Sequence, residues 1–162
     1  MDKEKFDNLD MKPEEFRKLG YRVIDMITEY YASIEAVRVF PASASSEVEQ
    51  VFKEDFPAEG QDPFAIVEEW QSKILPYATH LGSPRYFGFV NGSGTMIGTL
   101  AEALAASVNM NVGGWKPAPS ATEIERRTIA WLAEMVGFPK DCGGLFTTGG
   151  TLASFTALET AL

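Results

Sequence analysis

The chain has 162 residues, of which 45% are hydrophobic and 23% are charged, a composition typical of a globular domain and not of a disordered chain. Its formal net charge of −9 disfavours nucleic acids and anionic membranes as partners, because both are polyanions. The single cysteine, Cys142, excludes an internal disulfide framework and fits a reducing compartment.

The N-terminal stretch "MDKEKFDNLDMKPEEF" is charged and lacks the apolar core of a secretory signal. The sequence also has no run of about 20 apolar residues that could cross a membrane. We therefore expect a soluble, cytoplasmic protein, with a mobile start over residues 1–11.

The first half of the chain is predicted to be helical. Pro13 opens a pattern of apolar residues spaced three and four apart, which places them on one helix face. That stripe is interpreted as core or, preferably, as a dimer surface, because it is longer than the local sequence could cover. Its members are Phe16, Leu19, Val23, Ile27, Tyr30, Tyr31 and Ile34.

Three further features organise this half. Residues 37–46 are predicted to be an extended linker, and Ser46 to cap a short helix over residues 47–56. Asp62 followed by Pro63 predicts a second helix start, and Pro76 is expected to end that helix.

In the second half, residues 79–94 mix aromatic residues with glycines and show no helical period. A nearly uncharged helix follows over residues 95–108, and its composition predicts burial on most sides. Ser120 and Glu123 form a capping-box pattern for a helix to about Met135, which Gly137 and Pro139 end.

The stretch "LFTTGGTLASF", residues 145–155, places two glycines between a predicted buried strand at residues 143–148 and a helix from about Thr151. A strand followed by a helix opens an α/β sheet domain, and one strand needs partners, either on another chain or in a longer protein. The residues alone leave two interpretations of the glycines open. One is a phosphate site built from helix amides, with Thr148 and Thr151 as hydroxyl donors. The other is a tight turn that needs a positive φ.

The stretches "THLGSPRYFGFVNG", "SVNMNVGGWKPAPSATEIERRTIAWLAEMVGFP" and "GGLFTTGGTLASFTAL" occur in this order. They resemble the group II pyridoxal-phosphate-dependent decarboxylases, most closely the aromatic amino acid and tyrosine branch. The resemblance extends over residues 11–162. It implies the aspartate-aminotransferase-like α/β fold (fold type I), of which this mostly helical chain supplies the N-terminal part and the first strand of the large-domain sheet. It also implies a helical dimerisation segment at residues 1–78, the start of the cofactor-binding domain at residues 79–162, and an intertwined homodimer with swapped N-terminal helices.

The same resemblance implies pyridoxal 5′-phosphate as cofactor and assigns residues to its site. The cofactor phosphate is expected at Thr148, Gly149, Gly150 and Thr151; many members have Ser-Ala-Ser here, so this chain keeps only one of those hydroxyls. Substrate-binding positions are expected at Phe89, Val90, His80 and Trp115.

The activity implied is that of a lyase of amino acid, and so carboxylic acid, metabolism: a carboxy-lyase acting on aromatic L-amino acids. Two alternatives stay open, an aldehyde synthase or aminotransferase-like enzyme of the same fold, and a non-catalytic helical dimerisation module. The family's lysine, aspartate and ring-stacking histidine follow the phosphate turn in its order, and neither Lys116 nor Lys140 matches the lysine. No catalytic residue is therefore predicted in this segment, and the 162-residue chain alone is expected to be inactive.

Simpler interpretations accompany these assignments. His80 could be a hydrogen-bonded loop histidine, and Phe89 a core residue. Glu123 and Glu125 are interpreted as helix-start carboxylates favoured by the helix dipole. Cys142 is interpreted as a small buried or loop residue. No metal site is expected, because the only histidine has no companion ligands.

Overall fold

A computed structural model describes residues 11–162, so all but the last residue of the mobile start predicted for residues 1–11 lies outside the described residues. The chain forms two compact units, of which the first ends at Thr95 and the second runs from Met96 to Leu162. The predicted division after residue 78 concerns roles in an assembled enzyme and stays a prediction. Across residues 11–162, every helix is too short or too polar to cross a lipid bilayer.

The first unit contains three α-helices within its described residues: α1 (Pro13–Ser33), α2 (Ser45–Val51) and α3 (Pro63–Glu69). The start of α3 is confirmed, because the Asp62 carboxylate accepts a hydrogen bond from the Phe64 amide at 3.1 Å. A π-helical turn (Trp70–Ile74) and a 3₁₀ turn (Leu75–Tyr77) continue from α3, and the chain becomes extended at Ala78. The predicted cap of α2 is wrong: Ala44 is the N-cap and has no side-chain hydrogen bond.

The apolar stripe of α1 supplies much of the packing of the first unit. Within the stripe, Leu19 is buried, and Val23 and Ile27 are half-buried. Met26, which lies on α1 but outside the predicted stripe, is also buried. Phe16, at the start of the predicted stripe, is exposed. One face of α1 therefore packs as its spacing predicts, apart from its first turn.

A bidentate ion pair joins α1 to α3. The Arg22 guanidinium donates to both carboxylate oxygens of Glu68, at 2.5 and 2.7 Å, and also reaches the Gln71 side chain at 3.2 Å. The hydrogen bond from Arg22 holds the pKa of the Glu68 carboxyl below its usual value. This pair joins two helices through residues that are 46 positions apart.

The second unit contains α4 (Met96–Val108), α5 (Pro119–Met135) and α6 (Gly150–Ala161). The helical prediction for α4 is confirmed, but its predicted burial is wrong. Ile97 is 75% exposed and Leu104 is 71% exposed, and no residue of α4 is buried. Such an apolar helix requires a covering surface, which the described residues do not supply.

Helix α5 ends as predicted, since Gly137 adopts φ 78° two residues after Met135. Its predicted capping box is wrong, because Ala118 is the N-cap and no side chain caps the helix. The Glu123 carboxylate instead accepts a hydrogen bond from the Trp115 indole at 2.7 Å.

The strand predicted at residues 143–148 is not confirmed. This segment carries no strand hydrogen bonding, and residues 11–162 contain no β-strand. Leu145 and Phe146 are more than half exposed, so the predicted burial of the segment is wrong in this chain. A strand requires backbone hydrogen bonds to a neighbouring strand, and no neighbour is present among the described residues. The secondary structure of residues 11–162 is therefore helical, and these residues do not by themselves show the α/β class.

Candidate functional site

The glycine corner, residues 148–151, lies at the start of α6. Gly149 is the N-cap of α6 and adopts φ 156° and ψ 169°, a region accessible essentially only to glycine. The Gly149 carbonyl accepts hydrogen bonds from the Thr147 hydroxyl at 3.1 Å and from the Ala153 amide at 3.0 Å. The requirement for glycine at position 149 is therefore set by the local backbone.

The corner offers amide donors to a ligand. The amides of Gly150, Thr151 and Leu152 precede Ala153, which makes the first helical hydrogen bond, and no side chain caps them. Their partial positive charge adds to that of the helix dipole. A Cβ placed on Gly150 would meet no atom within 4 Å, so the approach to these amides is open.

A pocket of about 430 Å³ lies against the corner. Its walls contain no carboxylate that would repel an anion, and they include the hydroxyl-bearing residues Thr148 and Thr151. This donor set fits a phosphate group, whose oxygens accept hydrogen bonds from backbone amides at helix starts. The lining residues are Thr148, Gly149, Gly150, Thr151, Leu152 and Phe155.

The loop with the predicted substrate residues is organised around Tyr86. The Asn91 side-chain amide donates to the Tyr86 hydroxyl at 3.1 Å, and a Cβ on Gly88 would come within 2.7 Å of the Tyr86 ring. Phe89 and Val90 are strongly exposed. The interpretation of Phe89 as a core residue is therefore wrong in this chain. Both side chains are free to contact a ligand or another part of a protein.

His80 is buried, with 3% of its surface exposed. Its Nδ1 atom lies 3.1 Å from the Tyr30 hydroxyl, and its backbone amide donates to the Val39 carbonyl at 2.9 Å. Burial raises the pKa of Tyr30, which keeps the phenol protonated. The Trp70 ring packs edge-on against Tyr30. The simpler interpretation of His80, as a hydrogen-bonded histidine, is thus realised.

The predicted site residues fall into both units. The glycine corner and Trp115 belong to the second unit, and Trp115 is half exposed with its indole bonded to Glu123. Phe89, Val90 and His80 belong to the first unit. The structure brings residues 148–151 together in one corner, and the assignment of all these residues to a cofactor or substrate stays a prediction.

The sequence analysis did not predict the contacts that two residues, Tyr30 and Glu125, make near the candidate site. The residue spacing places Tyr30 on an apolar stripe, yet it is the hydrogen-bond partner of His80, 50 residues away. The sequence predicts a helix-start carboxylate at Glu125, yet this carboxylate accepts a hydrogen bond from the Phe146 amide, 21 residues away. No spacing signal connects residues so far apart, although a glutamate in the second turn of a helix is past the region where the dipole favours it.

Comparison with known proteins gives consistent results. Residues 46–161 match the pyridoxal-dependent decarboxylase conserved domain. An aromatic-L-amino-acid decarboxylase from Bacillus atrophaeus is 32% identical over 155 residues, which are 96% of this chain and 32% of that protein. The chain thus spans about a third of the length of this curated relative.

Two solved structures also resemble the chain. One is Oryza sativa TDC with PLP, which aligns with a TM-score of 0.73 at 25% identity, covering 86% of this chain and 30% of that one. The other is Rhodiola rosea 4-hydroxyphenylacetaldehyde synthase, with a TM-score of 0.71 at 28% identity, covering 80% of this chain and 28% of that one.

Proposed function

Because the chain belongs to the pyridoxal-dependent decarboxylase family, we propose that it forms part of a pyridoxal-phosphate-dependent carboxy-lyase acting on aromatic L-amino acids. The substrate class is supported by the Bacillus atrophaeus relative, an aromatic-L-amino-acid decarboxylase. The activity is proposed for the whole protein, since this chain spans only 32% of that relative.

The observation that carries the proposal is the glycine corner. Its free amides and open pocket suit the phosphate of the cofactor, and Gly149 adopts a backbone conformation that other residue types rarely adopt. When bound, pyridoxal phosphate supplies an electron sink for the electron pair left at the α-carbon as CO₂ departs. The corner contributes an anchor: Gly150 and Thr151 hold the phosphate, and so fix where the ring of the cofactor lies.

We assign the exposed pair Phe89 and Val90 to the aromatic ring of the substrate. Both are apolar and exposed, and ordering an apolar ring against them would remove water from both surfaces. His80, oriented by Tyr30, and Trp115, bonded to Glu123, are each assigned to substrate binding.

The test uses the protein that carries these residues, supplied with pyridoxal phosphate. It is expected to release CO₂ from L-tryptophan or L-tyrosine and to leave an aliphatic L-amino acid such as L-leucine unchanged. Mass spectrometry of the products, with and without cofactor, makes the measurement. Release of CO₂ that does not depend on the cofactor, or equal turnover of L-leucine, contradicts the proposal.

A second function, aldehyde synthesis, is supported by the likeness to the Rhodiola rosea enzyme. Both reactions release CO₂ from an aromatic amino acid, but one leaves an amine and the other an aldehyde. The same product analysis therefore separates them, and an aldehyde as the main product assigns the chain to the second function.

The proposal includes a cytoplasmic homodimer assembled through the helical segment at residues 1–78. Exposed aromatic residues on α1, namely Phe16 and Tyr21, support a contact surface there. Light scattering of the protein is expected to give twice the mass of one chain, and a single-chain mass contradicts the dimer.

A further inference from the structure

A side-chain hydrogen bond connects α5 to the segment that leads into the glycine corner. The Glu125 carboxylate accepts a hydrogen bond from the Phe146 backbone amide at 2.9 Å. Phe146 lies three residues before Gly149, whose backbone determines where α6 begins. Among the described residues, no backbone carbonyl accepts from this amide, and Glu125 is its hydrogen-bond partner.

The same face of α5 contacts this segment a second time. Ile129 lies one helical turn after Glu125, which puts both side chains on one face. A Cβ on Gly144 would lie 2.8 Å from the Ile129 Cγ2 atom, so only glycine permits this approach. The segment is therefore held at positions 144 and 146, immediately before the corner.

We propose that Glu125 is a positioning residue for the glycine corner. By accepting a hydrogen bond from the Phe146 amide, its carboxylate fixes the position of residues 144–148 against α5. The first amides of α6 are thereby kept directed at the phosphate position. A hydrogen bond between a carboxylate and a backbone amide is short and strong, which suits this task. The inference rests on the proposed function, because the group aimed at is the phosphate of pyridoxal phosphate.

The experiment measures the dissociation constants of pyridoxal phosphate and of pyridoxal, which lacks the phosphate, for the cofactor-free protein that carries these residues. Quenching of tryptophan fluorescence reports binding of either compound. The substitution Glu125→Ala is expected to weaken pyridoxal phosphate about tenfold and to leave pyridoxal within about twofold. A merely structural role would weaken both compounds alike.

Two conservative variants separate geometry from charge. Glu125→Gln keeps an acceptor oxygen at the same distance from the backbone and is expected to stay within about threefold of the unchanged protein. Glu125→Asp keeps the charge but shortens the side chain by one methylene, so its oxygens lie farther from the Phe146 amide. It is expected to weaken the binding of pyridoxal phosphate nearly as much as Glu125→Ala. If Glu125→Ala does not fold, this pair carries the test alone. Weakening by Glu125→Gln equal to that by Glu125→Asp overturns the proposal.

Glu134→Ala is the matched control, because it removes a carboxylate from the same helix. Glu134 pairs with the Lys140 ammonium at 2.8 Å and lies outside the corner and its lining. Its substitution is expected to leave both dissociation constants within about twofold. A tenfold weakening in this control would show that any lost carboxylate on α5 has the same effect, and would overturn the proposal.

Failure of this inference and failure of the proposed function give different results. If the unchanged protein binds pyridoxal as tightly as pyridoxal phosphate, the corner does not hold the phosphate and the proposed function is contradicted there. If the unchanged protein prefers pyridoxal phosphate and Glu125→Ala keeps that preference, only the positioning role of Glu125 is contradicted.

Discussion

The two units of the chain differ in how much of their apolar surface each covers for itself. In the first unit, α1 buries Leu19 and Met26, and Tyr30 packs against His80 and Trp70. In the second unit, the only buried apolar residues among those described are the small side chains of Ala118 and Ala133. Helix α4 is more apolar than α1, yet none of its residues is buried.

The apolar content of a helix therefore predicts that it needs a covering surface, but does not predict where that surface lies. The first unit is held by side-chain packing. The second is held by local backbone geometry at Gly149 and by a few long-range contacts, such as the bond from Phe146 to Glu125. The corner that we assign to the cofactor belongs to the less packed unit.

The largest expected effect tests the packing contrast directly. In the 162-residue chain, Met26→Ala is expected to lower the free energy of unfolding by about 2–4 kcal/mol, because Met26 is 3% exposed and its loss leaves a cavity. Leu104→Ala, in the 71% exposed position on α4, is expected to change it by less than about 0.5 kcal/mol. Urea unfolding followed by circular dichroism measures both. An equal or larger effect at Leu104 would break the comparison, since it would show that α4 is covered in solution.

The next effect tests how far the second unit depends on its backbone. Gly149→Ala forces a side chain into a conformation that L residues rarely adopt, and is expected to cost about 1–3 kcal/mol of unfolding free energy. Gly150→Ala is the matched control, because a Cβ there meets no atom within 4 Å and alanine favours a helix. Calorimetric unfolding of both variants makes the measurement, and equal effects of the two substitutions would show that the corner is not constrained at Gly149.

The smallest expected effect concerns the surface ion pair of the first unit. The hydrogen bond from Arg22 lowers the pKa of Glu68 from its ordinary value of 4.5. The pair therefore contributes stability above that value, and the contribution is lost as the pH falls through the lowered pKa of the folded state. The effect is small because both side chains are partly exposed.

Unfolding in urea between pH 7 and pH 2 measures this contribution. The unchanged chain is expected to lose stability more steeply below pH 4.5 than Arg22→Met, and the two curves should converge at the lowest pH. Glu68→Gln, which removes the titrating group, should follow Arg22→Met. Parallel curves for all three proteins would show that the pair adds nothing to the packing of the first unit.

Several elements could be predicted from the residues because their signals are local. Pro13 and the pair Asp62–Pro63 mark helix starts, and Gly137 marks a helix end, through backbone geometry that each residue carries with it. The failures have local origins too. Ser120 matches a capping pattern but lies within the first turn of α5, after Pro119, so the pattern was displaced by two residues.

The candidate site likewise contains features that could be predicted from local residues and features that could not. The requirement for glycine at position 149 and the open start of α6 were predictable, because both are properties of a few consecutive residues. The strand at residues 143–148 was not confirmed, because pairing is a property of two segments and the second is missing from the described residues. The predicted burial of α4 is wrong because the surface that would cover this helix is likewise missing from the described residues.

Local signals in the residues account for the order of the three motifs, the starts of α1 and α3, and a glycine-dependent turn before α6. The pairing of Tyr30 with His80 and the hydrogen bond from the Phe146 amide to Glu125 depend on the folded chain. Helix starts and turns follow from dihedral preferences within a few residues, whereas these two hydrogen bonds join residues 50 and 21 positions apart. They exist only because folding brings distant parts of the chain together.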